Sequence, residues 1–404
     1  MLQLSPYFCK VMKKITADWV FPVDSAPVRE GVIICDDAGK ILSVEQRNQH
    51  DIGTLEVLNG VLVPGFVNTH CHLELSHMKG KVDTGTGLLP FITNVVTKRN
   101  AEQELIQDAI RRAELEMLEG GIVAVGDISN TADTFAAKSH GQLRYHTFIE
   151  LFDFLQESGT QKALDDWSAV YAQLELAQGS TKSMTPHAPY SVSPALFAAI
   201  NALNGSSGGT VSIHNQETPP ENQLFLEKKG DFIDFYGRFG ISLDAFEATG
   251  QTSIFYALQH LNPYQRTLFV HNTLTTREEV AAAGEWSQHV YWATCPNANL
   301  YIENRMPDYA AFMATNARMT IGTDSLTSNW QLSILEEMKT IARYQSYVPF
   351  ETILRWATLN GAEALGFDDT LGSIQHGKRP GILLLTGMDE GWKLHAGVTV
   401  RRII

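Results

Sequence analysis

Over roughly 300 residues of the chain, short apolar runs alternate with segments of helical periodicity. No other feature narrows the possible folds as far. Eight runs read as strands: Val61–Asn68, Ile122–Ile128, Leu143–Leu151, Lys182–Pro186, Thr210–His214, Thr267–His271, His289–Thr294 and Met319–Thr323. Helical segments fall among them, at Glu102–Glu119, Lys162–Ala177, Ser193–Leu203, Glu278–Ala283, Leu332–Tyr344 and Phe350–Leu359. The first of these stops at Gly120-Gly121, and the third opens on a serine suited to an N-cap. This β-then-α order predicts an α/β fold, a (β/α)8 TIM-type barrel, over residues 63–369. Both ends are different. Ile15–Val20, Gly31–Cys35, Lys40–Val44, Gly381–Thr386 and Val398–Ile404 are β-prone, which predicts a small β-sandwich-like domain built from 1–62 and 370–404.

Composition excludes several classes of function. The 404 residues are 44% hydrophobic and 19% charged, so neither a disordered nor a collagen-like chain is expected. A net charge of −14 argues against nucleic acid or an anionic membrane as partner. No apolar run reaches the roughly 18 residues needed to span a bilayer. Met1–Lys14 lacks the apolar core of a signal peptide, and Cys9, Cys35, Cys71 and Cys295 form no CxxC pair, so a cytoplasmic location is expected.

The reactive side chains gather at strand ends. His70 and His72 flank Cys71 directly after the run Val61–Val67. Side chains two apart on an extended segment point the same way, so both imidazoles can reach one metal ion. Taken alone, HxH also fits two polar residues at a strand end. Further on, His214 closes Thr210–Ile213 with Glu217 three residues later, His271 closes Thr267–Val270, and Asp324 closes Met319–Thr323. His187 ends Lys182–Pro186. The C-terminal strand ends of a barrel surround a single mouth, so these residues are expected to converge. Asp127 and Glu150 end the second and third strands, face the mouth of the expected barrel and read as structural hydrogen-bonding groups; Asn297 and Asn299 read as shaping the loop after the seventh strand. His77, His146 and the other histidines read as surface or core residues, His77 standing closest to the HxH.

PGFVNTHCHLELS (Pro64–Ser76), TPHAPYSVS (Thr185–Ser193), HNQE (His214–Glu217), HNT (His271–Thr273), CPNANLYI (Cys295–Ile302) and IGTDSLTSN (Ile321–Asn329) resemble motifs of the amidohydrolase superfamily, in its chlorohydrolase and deaminase branch. The resemblance implies that His70, His72, His214 and Asp324 hold one divalent metal ion, zinc in the first instance with iron as the alternative. It further implies that Glu217 shuttles a proton from the metal-bound water to the substrate ring, that His271 holds the attacking hydroxide and tetrahedral centre, and that Asp324 also moves the second proton. His187 is implied to contact substrate; Glu74 reads either as a substrate contact or as a partner behind the ligands, or as a plain loop carboxylate. Two-metal members carry a carboxylated lysine at the end of the fourth strand. Here that end holds His187, while Lys182 stands at the start, which points to one metal.

The implied activity is hydrolytic deamination of a heteroaromatic ring on a small molecule, a purine nucleoside or base derivative. Aminodeoxyfutalosine-deaminase-like features, HLELS (His72–Ser76), GTGLLP (Gly85–Pro90) and GTDSLTSN (Gly322–Asn329), weigh toward an adenosine-like substrate. The alternatives are displacement of another leaving group, such as chloride from a triazine, and a barrel that has lost its chemistry. A homodimer is a permitted assembly.

Overall fold

The computed structural model describes residues 12–205, 209–389 and 391–404. Cys9 and the centre of the glycine-serine stretch Asn204–Gly209 lie outside the described residues.

Eight strands run parallel in two sheets. They are β1 (Phe66–Cys71), β2 (Ile122–Ser129), β3 (Arg144–Leu151), β4 (Thr181–Pro186), β5 (Thr210–Asn215), β6 (Arg266–His271), β7 (Val290–Thr294) and β8 (Met319–Ile321). Their orders are β4-β3-β2-β1 and β5-β6-β7-β8, each strand pairing with its sequence neighbour. Every residue of β1, β5 and β7 is buried, polar ones included, so both faces of these strands are covered. The edges of the two sheets also meet. His214 N donates to His187 O at 2.9 Å beside β5 and β4, and Thr323 N and Asp324 N donate to His70 O, both at 3.0 Å, beside β8 and β1. The C-terminal ends of all eight strands are thereby gathered on one side of a mixed α/β fold.

Helices fill the connections. Gln103–Glu119 buries Ile106, Ile110, Ala113 and Met117, the four-three-four spacing of one helical face. Pro194–Asn204 begins on Ser193, whose hydroxyl accepts from Leu196 N at 3.2 Å, with Pro194 in the first turn where its missing N–H costs nothing. Several helices go beyond the sequence reading. Leu88–Lys98 takes in the second half of the GTGLLP stretch Gly85–Pro90, and Pro296–Glu303 takes Asn297 and Asn299 out of a loop and into a helix. The helix expected over Phe350–Leu359 ends at Ala357, because Thr358 leaves helical geometry (ψ −87°) before a second helix, Leu359–Leu365, begins.

The run Val61–Asn68, read as one strand, is divided at Gly65. Val61–Pro64 pairs antiparallel with Ile382–Thr386, in register Val61↔Leu385 to Pro64↔Ile382, whereas Phe66 opens β1. A Cβ at residue 65 would stand 2.3 Å from Val123 Cγ1 and 2.6 Å from Pro380 O, so only glycine lets the chain pass between the two layers. Both chain ends meet in a five-stranded sheet, Thr399–Arg402, Ile382–Thr386, Val61–Pro64, Trp19–Val20 and Val28–Arg29. Beside it lies a four-stranded sheet, Ile41–Gln46, Gly31–Cys35, Lys13–Thr16 and Glu56–Val57. Ile15, Val20, Ile33, Ile41, Leu62, Ile382 and Leu384 form a hydrophobic cluster of their own between them.

Candidate active site

Four side-chain atoms converge where β1, β5 and β8 end. His70 Nε2 lies 3.2 Å from His72 Nε2, and His72 Nε2 lies 3.3 Å from His214 Nε2. Asp324 Oδ1 stands 3.6 Å from His70 Nε2 and 3.5 Å from His72 Nε2. Ligands about 2.0–2.1 Å from a tetrahedral zinc stand about 3.3–3.4 Å from each other, so these four atoms fit one cation. The donor set agrees with this. His214 Nδ1 donates to His187 O at 2.8 Å, which leaves the Nε2 lone pair facing His72. Neutral imidazoles are what a cation requires, and burial holds them so: His72 is lowered to about 3 despite the opposing charge of Asp324, and His214 is pushed well below its ordinary range. For Asp324 burial acts against ionisation, but its hydrogen bond to His70 and the neighbouring His72 and His271 prevail and keep it a carboxylate.

The backbone is bent to aim these groups. His271 (φ 72°), Asn272 (φ 58°), Gln216 (φ 46°) and Asp324 (φ 56°) all sit in the left-handed region, which side-chain-bearing residues enter at a cost and mostly at functional sites. Gly322 allows β8 to approach His70, since a Cβ there would meet His70 Cβ at 2.8 Å. Ser328 Oγ donates to Asp324 Oδ2 at 2.6 Å, leaving Oδ1 to the imidazoles.

Beside this cluster lie Glu217 and His271, with Glu217 Oε1 3.7 Å from His271 Nε2. Glu221 grips the turn that carries Glu217, accepting from Gln216 N at 3.0 Å and Glu217 N at 3.1 Å. Burial first, and then the charge of Asp324, raise Glu217 well above the usual carboxylate range, so it is a group able to keep a proton near neutrality. His271 is lowered by burial to about 4. Its Nδ1 meets Asn299 Oδ1 at 2.8 Å, which fixes the ring with Nε2 toward Glu217. His187 is also lowered by burial to about 4; its Nδ1 donates to Ser191 Oγ at 2.7 Å, since that hydroxyl gives its own proton to Ala188 O. Glu217, His271, His187, His72, His214 and Asp324 all line one cavity, together with the apolar side chains Leu88, Phe91, Ile92, Val95, Phe152 and Phe154.

Glu74 is placed differently. It does not line the cavity: its Oε1 takes Arg99 Nη2 at 3.0 Å, and its Oε2 takes Asn130 N at 2.9 Å, Thr131 N at 3.0 Å and Thr131 Oγ1 at 3.1 Å. Arg99 lines the cavity in its stead. Glu150, read as a structural group, also lines it, with Oε1 3.3 Å from His214 Nδ1 and burial raising its carboxyl to about 8. Asp127 keeps a structural place: it accepts from Leu73 N at 2.8 Å and pairs with buried Lys138 at 2.6 Å, holding the chain just past His72. Glu150, His187 and His214 could form a second cation group by proximity alone, but His214 Nδ1 is already donating to a carbonyl. Lys182 lies at the far end of β4, with its ammonium on Tyr171 O at 2.7 Å and Leu174 O at 2.9 Å.

Sequence reasoning missed Arg99 and the hold of Asn299 on His271. A signal for Arg99 was present: Leu88, Phe91, Ile92 and Val95 follow helical spacing and lead directly to it.

The chain belongs to the amidohydrolase family, whose profile matches residues 61–396. The family is metal-dependent, and the clustered histidines suit that property. An adenosine deaminase of Helicobacter pylori is 28% identical over 326 residues, covering 80% of this chain and 78% of the relative. The crystal structure of Helicobacter pylori aminofutalosine deaminase in complex with methylthio-coformycin superposes with a TM-score of 0.80 at 24% identity, over 97% of this chain and 100% of that one. A triazine hydrolase from Arthobacter aurescens has a TM-score of 0.74 at 19% identity, over 94% of this chain and 88% of that one. Among the described residues no helix is long and apolar enough to cross a membrane.

Proposed function

We propose that the protein is a metal-dependent hydrolytic deaminase that removes an amino group from a heteroaromatic ring, a purine nucleoside or base derivative, and releases ammonia. One observation carries this reading: the His70, His72, His214 and Asp324 atoms, with neighbours 3.2–3.6 Å apart, adjoin a cavity that His72, His214 and Asp324 line together with Glu217 and His271. In this reading the two parallel sheets form a (β/α)8 barrel over 63–369, and the paired termini form a separate β domain over 1–62 and 370–404.

His70, His72, His214 and Asp324 would hold one divalent cation, for which three imidazoles and a carboxylate suit zinc, with iron as the alternative. Such a cation, when bound, supplies Lewis-acid activation of a water molecule near neutral pH. Glu217, held protonatable by burial, accepts a proton from the attacking water and delivers it to a ring nitrogen of the substrate. His271, its ring fixed by Asn299, donates or accepts at Nε2 where the tetrahedral centre develops. Asp324 takes the second proton toward the departing amine. His187 offers an unprotonated Nε2 to the ring or its substituent. The apolar side chains in the cavity lining lower the local dielectric around these groups.

Chloride displacement from a triazine would use the same first step. The identity to the triazine hydrolase, at 19%, supports the fold alone, so ammonia release is the primary reading. Its test is an ammonia-release screen across adenine, guanine, cytosine and adenosine-derived compounds, with a chloride-release arm on triazines and metal analysis on the same sample. Ammonia from an adenosine-type compound with about one metal per chain is expected. Chloride release without ammonia, or no turnover by a metal-loaded protein, would overturn it.

A further inference from the structure

The helix Ile334–Tyr344 buries Ile334, Leu335, Met338 and Ile341, and in the same buried face stands a carboxyl group, Glu337, wholly shielded from solvent. Three neutral N–H groups take the place of a cation beside it. Asn297 N donates to Oε2 at 2.8 Å, Asn297 Nδ2 to Oε1 at 2.9 Å and Asn329 Nδ2 to Oε1 at 2.7 Å. Each of these partners is a donor, so neither oxygen finds among them an acceptor for a proton of its own. Burial raises the carboxyl to about 8, and the three donors work against that rise. An apolar side chain would pack this helix without the cost of burying a polar group. What the carboxyl adds is the position of the groups that donate to it.

Those donors stand after β7 and after β8. Past β7, the Asn297 amide is held at both ends: Nδ2 by Glu337, and Oδ1 by Thr340 Oγ1 at 2.6 Å, from the next turn of the same helix. Two residues on, Asn299 Oδ1 meets His271 Nδ1 at 2.8 Å. Past β8, Asn329 Nδ2 also donates to Thr323 O at 2.8 Å and so closes the loop 323–329 on itself. This loop carries Asp324, in left-handed backbone (φ 56°), and Ser328, whose hydroxyl donates to Asp324 Oδ2. One carboxyl group thus joins the holder of His271 to the holder of Asp324. Glu337 itself does not line the cavity.

We propose that Glu337 is a positioning residue for the reaction: it fixes the chain after β7 against the chain after β8, and so keeps His271 and Asp324 in the relative placement that the chemical step needs. This rests on the deaminase reading above and adds to it a residue outside the cavity. The apolar lining and His187 come from other elements, so the loss of Glu337 falls on kcat and leaves KM nearly unchanged. A glutamine cannot take its place, because the amide NH2 would face one of the three donors.

The experiment compares the full-length zinc-loaded wild type with Glu337→Gln, Asn299→Ala and the double variant. Ammonia release is measured on the fastest substrate of the screen above, adenosine in the first instance, and kcat is expressed per bound metal so that incomplete folding does not enter. Glu337→Gln is expected to lower kcat by about 10–100-fold, with KM within about threefold of wild type. The double variant should lose less than the product of the two single losses, because both substitutions loosen the same ring. Hydrogen exchange supplies a reading free of activity: segments 295–303 and 322–330 should both exchange faster in Glu337→Gln, with 382–386 unchanged. Unchanged kcat per bound metal, losses that multiply in full, or faster exchange in fewer than both segments overturns the proposal and leaves the deaminase reading standing. No ammonia from wild type removes that reading and the catalytic role of Glu337 with it, and exchange alone then decides whether Glu337 couples the two loops.

Discussion

Two sets of buried histidines in this molecule differ in a single respect. His146, on β3 and away from the site, has both ring nitrogens engaged: Nδ1 with Thr181 Oγ1 at 2.7 Å, and Nε2 with Ser183 Oγ at 3.0 Å and Thr210 O at 3.1 Å. In the cluster of His70, His72 and His214, by contrast, the Nε2 atoms face each other, at 3.2 and 3.3 Å between neighbours. Two acceptor nitrogens at that distance gain nothing from each other, and an unmet buried polar atom costs about 1–3 kcal/mol. The first arrangement is complete as it stands. The second becomes favourable when a cation enters. A buried histidine is therefore diagnosed by the partner of its second nitrogen and not by its burial.

Breaking the ligand set should have the largest effect. His214→Ala is expected to abolish stoichiometric metal binding and to lower ammonia release by about a thousandfold or more, because the Lewis acid leaves with its ligand. Full activity in a metal-free variant would erase the distinction between the two sets. Next comes Glu217→Gln, which should cost about 10²–10⁴-fold in kcat while metal content, measured on the same sample, stays near wild type. A parallel loss of metal would move Glu217 into the ligand set.

Asn299→Ala sharpens the comparison within the site. It frees the second nitrogen of His271, and a loss of about 10–100-fold in kcat with metal retained is expected. Unaltered kcat would show that the ring needs no holder. His146→Gln tests the structural set: stability should fall by about 1–3 kcal/mol in urea titration, with metal content unchanged.

The smallest effect concerns pH. Burial lowers His146 from 6.5 to about 3. The unfolded imidazole takes its proton near pH 6.5 while the folded one resists until about pH 3, so the unfolded chain binds more protons in that window. This contribution is fully present above pH 6.5, is reduced by about 2 kcal/mol at pH 5, and is lost as the folded value is approached. The urea midpoint of wild type should fall more steeply between pH 7 and pH 5 than that of His146→Gln. Parallel slopes would assign the acid sensitivity to other groups.

Much of the site was legible because strand-end residues declare themselves. An apolar run that stops at His, Asp or Glu puts that side chain at the rim, and β1, β5, β6 and β8 each do so. Apart from the helical spacing that leads up to Arg99, the residues that support them gave no local sign of their partners. Asn299 lies 28 positions from His271 and Arg99 lies 25 from Glu74, each pair brought together by elements whose packing is not periodic in sequence. Glu74 shows the limit well. It could be placed near the ligands by number, but its direction depends on Asn130, Thr131 and Arg99, which come from two other elements.

From the residues alone came the alternation of strands and helices and the convergence of the histidines and aspartate on one end. Those follow from periodicity and spacing, both properties of the chain as a line. Tertiary structure decided which nitrogen each histidine presents, how Gly65 divides one apolar run between two sheets, and that the cavity closes on a guanidinium instead of a carboxylate. These depend on which atoms from distant segments come within about 3 Å, the range over which hydrogen bonds form, and no linear pattern specifies that.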